Sequence, residues 1–331
     1  MQQELVILMG VSCASKSTYA KKFENDDRYK ILSSDKLREE HNLGCNDMSV
    51  FLMIDELCSK YLSEGYSVVI DASNVSIKRH RRYLNIATKQ NVKYNCIYIL
   101  THNELWLSNV KKRLKTKWSF YNLGTVLFIR KRQYYGLCVP SENIFDNITY
   151  VTQDISINQN DIDEFKQYYY ENKDLFLTNP KEFFEVIYKN GLLQKVIPEL
   201  YACYGYNQNN KHHKDTLENH MFNVAMYYNG SEERVWTAVL HDIGKLVEGI
   251  REDDGENSSY IGHAGASTEL AILILKRLNI DGLDNRKVVE IINRHMYLPY
   301  DAELSYKKKK ALGEELLNEL VLFREAELSS K

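Results

Sequence analysis

Six of the nine histidines fall between positions 212 and 295: His212, His213, His220, His241, His263 and His295. Imidazole and carboxylate groups together are ligands for Mn2+, Fe2+, Co2+, Ni2+ or Zn2+. The segment "AVLHDIGK" sets His241 beside Asp242 at the end of an apolar stretch, with Gly244 to break the helix. Such a pair binds one metal through both side chains or bridges two through the carboxylate. Near the other end of the chain, "GVSCASKST" (Gly10 to Thr18) follows the apolar run "ELVILM". Gly10, Lys16, Ser17 and Thr18 have the spacing of a loop whose backbone N–H groups cradle phosphates, whose lysine neutralises them and whose hydroxyl holds Mg2+. Ser15 belongs to the same loop, but it and Cys13 stand where glycines are usual, so Ser15 is expected either to bear some strain or to alter the loop slightly. An ordinary strand, turn and helix with an exposed lysine is the plainer reading.

Two further stretches carry charge to the same place. In "ILSSDKLREE", Asp35 follows a strand and Arg38 lies about one helical turn later. A carboxylate there can take the proton of an attacking hydroxyl, and an arginine can grip an acceptor phosphate; the plainer role for Asp35 is a helix N-cap. "VVIDASN" ends a third strand on Asp71, a Mg2+-shell or acceptor-site carboxylate if it is not merely a turn residue.

The elements that must position these residues differ between the two halves. Apolar runs at 5–9, 29–32, 66–70 and 94–100 alternate with stretches of helical periodicity such as Val50, Phe51, Ile54, Leu57, Cys58, Tyr61 and Leu62. This alternation predicts a parallel α/β sheet with flanking helices, its ligands gathered at the carboxyl ends of the strands. From about 161 the strand signals fade, and amphipathic segments at 181–189, 215–228, 232–243, 264–278, 286–296 and 309–328 predict an all-α second domain. A chain of 331 residues is long enough for two cores. The expected division is an α/β domain over 1–150, a linker over 151–175 centred on the polar "TQDISINQNDIDE", and a helical domain over 176–331.

Charge divides the same way. Residues 1–150 hold 22 Lys and Arg against 15 Asp and Glu, whereas 151–331 hold 21 against 30. The basic half is the better candidate for an anionic polymer. No run approaches the ~18 apolar residues that span a bilayer, the first residues lack a signal-peptide pattern, and the six cysteines form no CxxC pair. A cytoplasmic protein with free thiols and no membrane partner is expected.

Taken together, "GVSCASKST", "SSDKLR" and "VVIDASNVSIKRHRR" resemble the polynucleotide 5′-kinase family of nucleic-acid repair enzymes, with its GxxGSGKST, S-S/T-D-x-x-R and D-x-T-N pattern, over roughly residues 4–150. The resemblance implies that Lys16 and Ser17 serve ATP or another NTP and its Mg2+, that Asp35 is the general base on a 5′-hydroxyl, and that Arg38 binds the acceptor phosphate. It also implies a basic lid, matched by "NVKKRLKTK", with Arg113 the best candidate to stabilise charge on the phosphoryl in flight. A solvated helix face is the competing reading of that stretch.

The second half resembles the HD phosphohydrolase superfamily, with His220, the His241–Asp242 doublet, His263 in "IGHAGAS" and His295 in "INRHMYLP" as metal ligands. More narrowly, "FFEVIYKNGLLQKVIPEL" followed by "HHKDTLENH" is similar to the HD domain of some CCA-adding tRNA nucleotidyltransferases. The family closes its ligand set with an Asp in the last helix; here "REAELSS" offers Glu327, with Asp301 a second candidate. Lys245 and His213 are candidates to steady a substrate phosphate.

The two resemblances imply a two-domain enzyme that heals nucleic-acid ends, RNA favoured over DNA. One half phosphorylates a 5′-hydroxyl and the other removes a 2′,3′-cyclic or 3′ phosphate, in readiness for a separate ligase. A kinase of small metabolites or nucleosides joined to an HD nucleotidase is the rival enzyme. A nucleotide-sensing binding protein is the rival from another class, and it leaves Asp35 and Arg38 without employment.

Overall fold

The structure is a computed structural model that describes residues 2–44, 47–115, 122–209, 215–298, 309–310 and 312–330. The chain forms two compact units, Met1–Ile155 and Ser156–Lys331.

The first unit is a five-stranded sheet, all parallel, in the order β2-β3-β1-β4-β5. Its strands are β1 (Glu4–Met9), β2 (Tyr29–Ser33), β3 (Ser67–Asp71), β4 (Lys93–Thr101) and β5 (Asn147–Gln153). Helices α1 (Lys16–Ala20), α2 (Ser34–Glu40), α3 (Val50–Ser63), α4 (Ile77–Gln90), α5 (Asn103–Leu114) and α6 (Leu123–Tyr135) connect them. This is a parallel α/β fold with flanking helices. The central strand β1 is buried along Leu5–Met9, as a strand covered on both faces must be. It delivers the chain to Gly10 at φ 148°, where a Cβ would lie 2.5 Å from the Ile99 carbonyl oxygen. Only glycine lets the loop turn so close to β4.

The second unit is helical apart from a short ribbon of Glu252–Asp253 against Ser258–Ser259. Its helices are α7 (Gln159–Glu171), α8 (Lys173–Thr178), α9 (Pro180–Lys189), α10 (Leu192–Val196), α11 (Pro198–Tyr201), α12 (Leu217–Tyr227), α13 (Glu232–Leu240), α14 (His263–Leu278), α15 (Asn285–Arg294) and α16 (Glu314–Ser329). Helix α14 is buried almost throughout and forms the axis of the unit.

The expected linker over 151–175 requires correction. Residues 147–153 are the edge strand β5, and α7 and α8 belong to the second core. Phe165, Tyr169 and Phe176 are fully buried, with ring centroids 6.5, 6.1 and 5.3 Å from that of Trp236. The polar residues of this stretch occupy the outer face of α7, while each buried aromatic contributes roughly 1.5–3 kcal/mol of apolar burial inside. Composition alone conceals such a helix.

Candidate functional site

At the carboxyl ends of β1, β2 and β3 the α/β unit opens into a cavity of about 810 Å3. Ser12, Cys13 and Ser15 of the loop that begins at Gly10 line it. Cys13 and Ser15 adopt the left-handed conformation at φ 64° and 66°, so Ser15 bears strain and Cys13 shares it. Side chains from distant helices hold the loop in that shape. Asn109 Nδ2 donates to the Cys13 carbonyl at 3.1 Å and to Ser15 Oγ at 3.0 Å. Trp106 Nε1 donates to the Ser12 carbonyl at 2.6 Å, and Gln133 both accepts from Ser12 N–H and donates to Ser12 Oγ.

Lys16 is buried and donates to the Val11 carbonyl at 2.8 Å. Burial lowers its pKa, against the opposing pull of the Asp71 and Asp35 carboxylates. Ser17 Oγ donates to Asp71 Oδ2 at 2.7 Å, joining the loop to the end of β3. Ser17 and Thr18 are exposed at the cavity mouth. Asp35 stands in the first turn of α2, where Arg113 of α5 meets its Oδ2 at 2.7 Å and Arg38 lies 3.9 Å from its Oδ1. The sequence-derived Ser15, Lys16, Ser17, Thr18, Asp35, Arg38, Asp71 and Arg113 therefore converge on one opening, while Gly10 turns the chain beneath it against β4.

Trp106, Asn109 and Gln133 are functional supports that the sequence reading missed. Gln133 contacts a residue 121 positions away, and no local pattern announces such a pairing. Asn74 was visible as the last residue of "DASN" but without a role. Its Nδ2 donates to the Leu8 and Ile70 carbonyls, tying the ends of β1 and β3 together beneath the site.

The helical unit gathers its candidates in a closed cluster. His220, His241 and Glu327 form one group whose ligand atoms lie within 4.8 Å of one another, and Asp242, His263 and His295 form a second. Asp242 stands between them. Its Oδ2 is 3.6 Å from His220 Nε2 and 3.2 Å from His241 Nε2, while Oδ1 is 3.3 Å from His263 Nε2 and 3.9 Å from His295 Nε2. Glu327 Oε1 approaches His241 Nε2 to 3.4 Å. The carboxylate of Glu327 thus sits with the imidazoles, despite the longer side chain.

Local structure aims the imidazoles. The Nδ1 atoms of His241, His263 and His295 bond the carbonyls of Ala238, Tyr260 and Ile292, each three residues upstream, at 2.7–2.8 Å. These bonds turn every Nε2 inward and favour the tautomer with a free inward lone pair. The doublet itself ends α13, and the following turn packs against α14 so closely that a Cβ on Gly244 would meet Ser267 N at 2.3 Å. Gly244 N–H donates to Ser267 Oγ. Lys245 Nζ lies 2.6 Å from Asp242 Oδ2 and donates to Gln208 Oε1.

The electrostatics ask for a cation. Burial alone would lower His241, but the Asp242 and Glu327 carboxylates outweigh it and hold the imidazole up to about 10. Burial would raise Asp242 and Glu327; His241 and Lys245 hold the first well below the carboxylate range, and His241 with His295 hold the second at about 2. Burial pushes His263 down to about 3 and lowers His295. His241 Nε2 is fully buried and makes no hydrogen bond among the described residues. A buried, unbonded nitrogen facing two carboxylates fits a metal ion, since an unsatisfied polar atom is otherwise costly. His213 and Asp301 lie outside the described residues.

Comparison with known proteins gives three kinds of likeness. A family model described as an AAA domain matches residues 5–125. The chain is 30% identical over 144 residues to an A-adding tRNA nucleotidyltransferase of Deinococcus radiodurans, covering 41% of this chain and 33% of that protein. The chain thus spans about a third of the length of this curated relative. Among solved structures, a putative kinase from Chloroflexus aurantiacus shares 17% identity over 52% of this chain and 98% of its own, with a TM-score of 0.37. A chain of the Pnkp1/Rnl/Hen1 RNA repair complex shares 18% over 41% of this chain and 45% of its own, with a TM-score of 0.36. A fungal RNA kinase shares 15% over 51% and 87%, with a TM-score of 0.34. No helix among the described residues is long and apolar enough to cross a membrane.

Proposed function

We propose that the α/β unit transfers the terminal phosphoryl group of an NTP to the 5′-hydroxyl of a nucleic-acid end, RNA favoured over DNA. The helical unit, on the same proposal, is a metal-dependent phosphohydrolase acting on a 2′,3′-cyclic or 3′ phosphate. The observation that carries the first half is that Asp35, with Arg38 beside it, opens into the same cavity as the phosphate loop. A module that only senses nucleotide needs neither group.

In the transfer, the acceptor oxygen bonds the γ-phosphorus as the bond to the β-phosphate oxygen breaks, and Asp35 receives the hydroxyl proton. Lys16 and the loop N–H groups hold the donor, and Arg38 holds the acceptor phosphate. Ser17 and Asp71 form the side that would hold Mg2+, which when bound neutralises phosphate charge. Arg113, now paired with Asp35 at 2.7 Å, must exchange that carboxylate for the phosphoryl group before Asp35 can act as a base. The pairing therefore keeps base and lid arginine together until substrate separates them.

In the helical unit, His220, His241, Asp242, His263, His295 and Glu327 are the proposed ligands of Mn2+, Fe2+, Co2+, Ni2+ or Zn2+. Such a metal supplies an activated water and stabilises charge on the phosphorus. Lys245 and His213 are proposed to orient the substrate phosphate. Asp242, standing between the two groups, would hold the metal through its carboxylate together with the surrounding imidazoles. Similarity to a tRNA nucleotidyltransferase supports RNA as the polymer. A separate ligase would consume the healed ends.

Labelled ATP supplied with 5′-hydroxyl oligonucleotides or with a nucleoside pool tests the proposal. Label in oligonucleotides is expected. Label only in nucleosides would replace the proposal with a small-molecule kinase, and ATP binding without any transfer would leave a sensor.

A further inference from the structure

Of the basic run Lys78–Arg82 in α4, one residue lines the cavity. Lys78 and Arg81 are exposed, His80 is fully buried and bonded to the Asn74 carbonyl, and Arg82 is paired with Asp55. Arg79 alone faces the opening, on the wall it shares with Arg38 and Phe51. Its guanidinium carbon lies 3.6 Å from the centroid of the Phe51 ring, and that of Arg38 lies 5.5 Å from the same centroid. One phenyl ring of α3 thus braces two arginines from two other helices.

Neither arginine has a close carboxylate of its own, although Arg38 donates to the Ser34 carbonyl and the more distant charge of Asp55 acts on Arg79. The carboxylate nearest Arg38 is Asp35 at 3.9 Å, a contact shared with the stronger Arg113 pair. Arg79 has no carboxylate within 4.0 Å among the described residues, although it is half-buried. Stacking on an aromatic face fixes a guanidinium's plane while leaving its N–H edge available for an anion. Two such edges side by side at an acceptor wall suit two phosphates more than one.

We infer that Arg79, braced by Phe51, is a second phosphate subsite on the acceptor side of this cavity, selecting acceptors whose 5′-hydroxyl nucleoside is followed by two or more phosphates. The inference rests on the kinase reading above and narrows it from any 5′-hydroxyl nucleotide to a polymer end. Arg38 then takes the phosphate next to the reacting nucleoside, and Arg79 takes the following one. Phe51 acts through both as a positioning residue.

The test is a ladder of acceptors given to the full-length protein with saturating ATP: a nucleoside, its 3′-phosphate, a dinucleotide 3′-phosphate and a hexanucleotide. The parent is expected to gain in kcat/KM at the first phosphate and again at the second. Arg79→Ala should erase the second gain, about 10-fold, while keeping the first; Arg38→Ala should erase the first. Arg79→Ala should also lower the slope of log kcat/KM against log salt by about 0.7 on the hexanucleotide, the value for one contact to a single strand. Arg79→Lys should recover the salt slope but only part of the gain, because the charge remains without the stacked plane. The KM for ATP reports whether a variant is folded and should not move. A parent that gains nothing at the second phosphate, or an Arg79→Ala that lowers every acceptor equally at unchanged ATP KM, overturns the subsite. A parent that phosphorylates none of the four overturns the kinase reading itself.

Discussion

The cavity of the α/β unit and the histidine cluster of the helical unit differ in how their functional groups are held. In the cavity the supports are long-range: Gln133 on Ser12, Asn109 on Cys13 and Ser15, Asp71 on Ser17. In the cluster they are local, each of three imidazoles being fixed by a carbonyl three residues upstream. The cavity is open and lined with cations, whereas the cluster is closed and places two carboxylates among imidazoles. A phosphate could be bound directly by the first. The second, with His241 Nε2 buried and unbonded beside two carboxylates, would on the proposed reading meet a phosphate through a metal it holds. Preorganisation by tertiary contacts and preorganisation by helix-local bonds should therefore fail differently when probed.

The sharpest probe is Asp242→Ala. Asp242 faces four imidazoles, so its loss should strip metal from the unit and reduce hydrolysis of a 2′,3′-cyclic phosphate by roughly 10³-fold or more, given the several kcal/mol a metal supplies to the reaction. Kinase turnover should stay within about twofold, since the two units have separate cores. Chelation of the parent should reproduce the loss, and Mn2+, Ni2+ or Co2+ should reverse it. Metal content measured on both proteins checks the link, and hydrolysis that survives both treatments would exclude a metal-dependent site.

Next in size is Asp35→Ala, expected to reduce phosphoryl transfer by about 10²–10⁴-fold, the range for a general base. The loss should persist at saturating ATP, because Asp35 acts on the acceptor. Hydrolysis should not change. If transfer is unaffected, Asp35 is only the anchor of Arg113 seen in the structure.

Glu327 gives a smaller and more local effect. It touches one group of the cluster, through His241 and His220, so Glu327→Ala should lower metal content and hydrolysis together by about 10- to 100-fold. Glu327→Asp should keep more activity if the carboxylate is a ligand and the helix can bring it closer. Activity equal to the parent in both variants would assign the position to Asp301 or to water.

The contrast in supports also explains what was legible. The His241–Asp242 doublet and the phosphate loop announce themselves because their chemistry sits in consecutive or closely spaced residues, whereas His263 and His295 were read through a family resemblance. Strands β1 to β4 were visible as apolar runs, but β5, "NITYVTQ", is an edge strand with few large apolar residues, and polar sequence masked α7. Glu327 was readable as a departure from a resembled pattern, and its approach to His241 required the fold. Arg79 lay within the basic run of "IKRHRR" with nothing to set it apart from its neighbours, and Asn109 and Gln133 carry no local signal, because what distinguishes all three is the partner brought from elsewhere in the chain.

The finest test of the comparison lies in the strained loop. Cys13 and Ser15 both adopt the left-handed conformation, which costs an L residue about 1–2 kcal/mol. A glycine at either position removes that cost, offset in part by the greater freedom of glycine in the unfolded chain, about 0.4–1 kcal/mol. The two positions differ in their side chains. Asn109 Nδ2 bonds the carbonyl of Cys13, which glycine retains, but the hydroxyl of Ser15, which glycine deletes. That bond is worth about 1 kcal/mol. Cys13→Gly is therefore expected to raise the melting transition of the α/β unit by up to about 2–4 °C, and Ser15→Gly to leave it nearly unchanged. In an Asn109→Ala background the two substitutions should become equivalent. Calorimetry on the three single and two double variants measures this directly, and a Ser15→Gly more stabilising than Cys13→Gly would mean that the long-range contact from α5 contributes nothing to holding the loop.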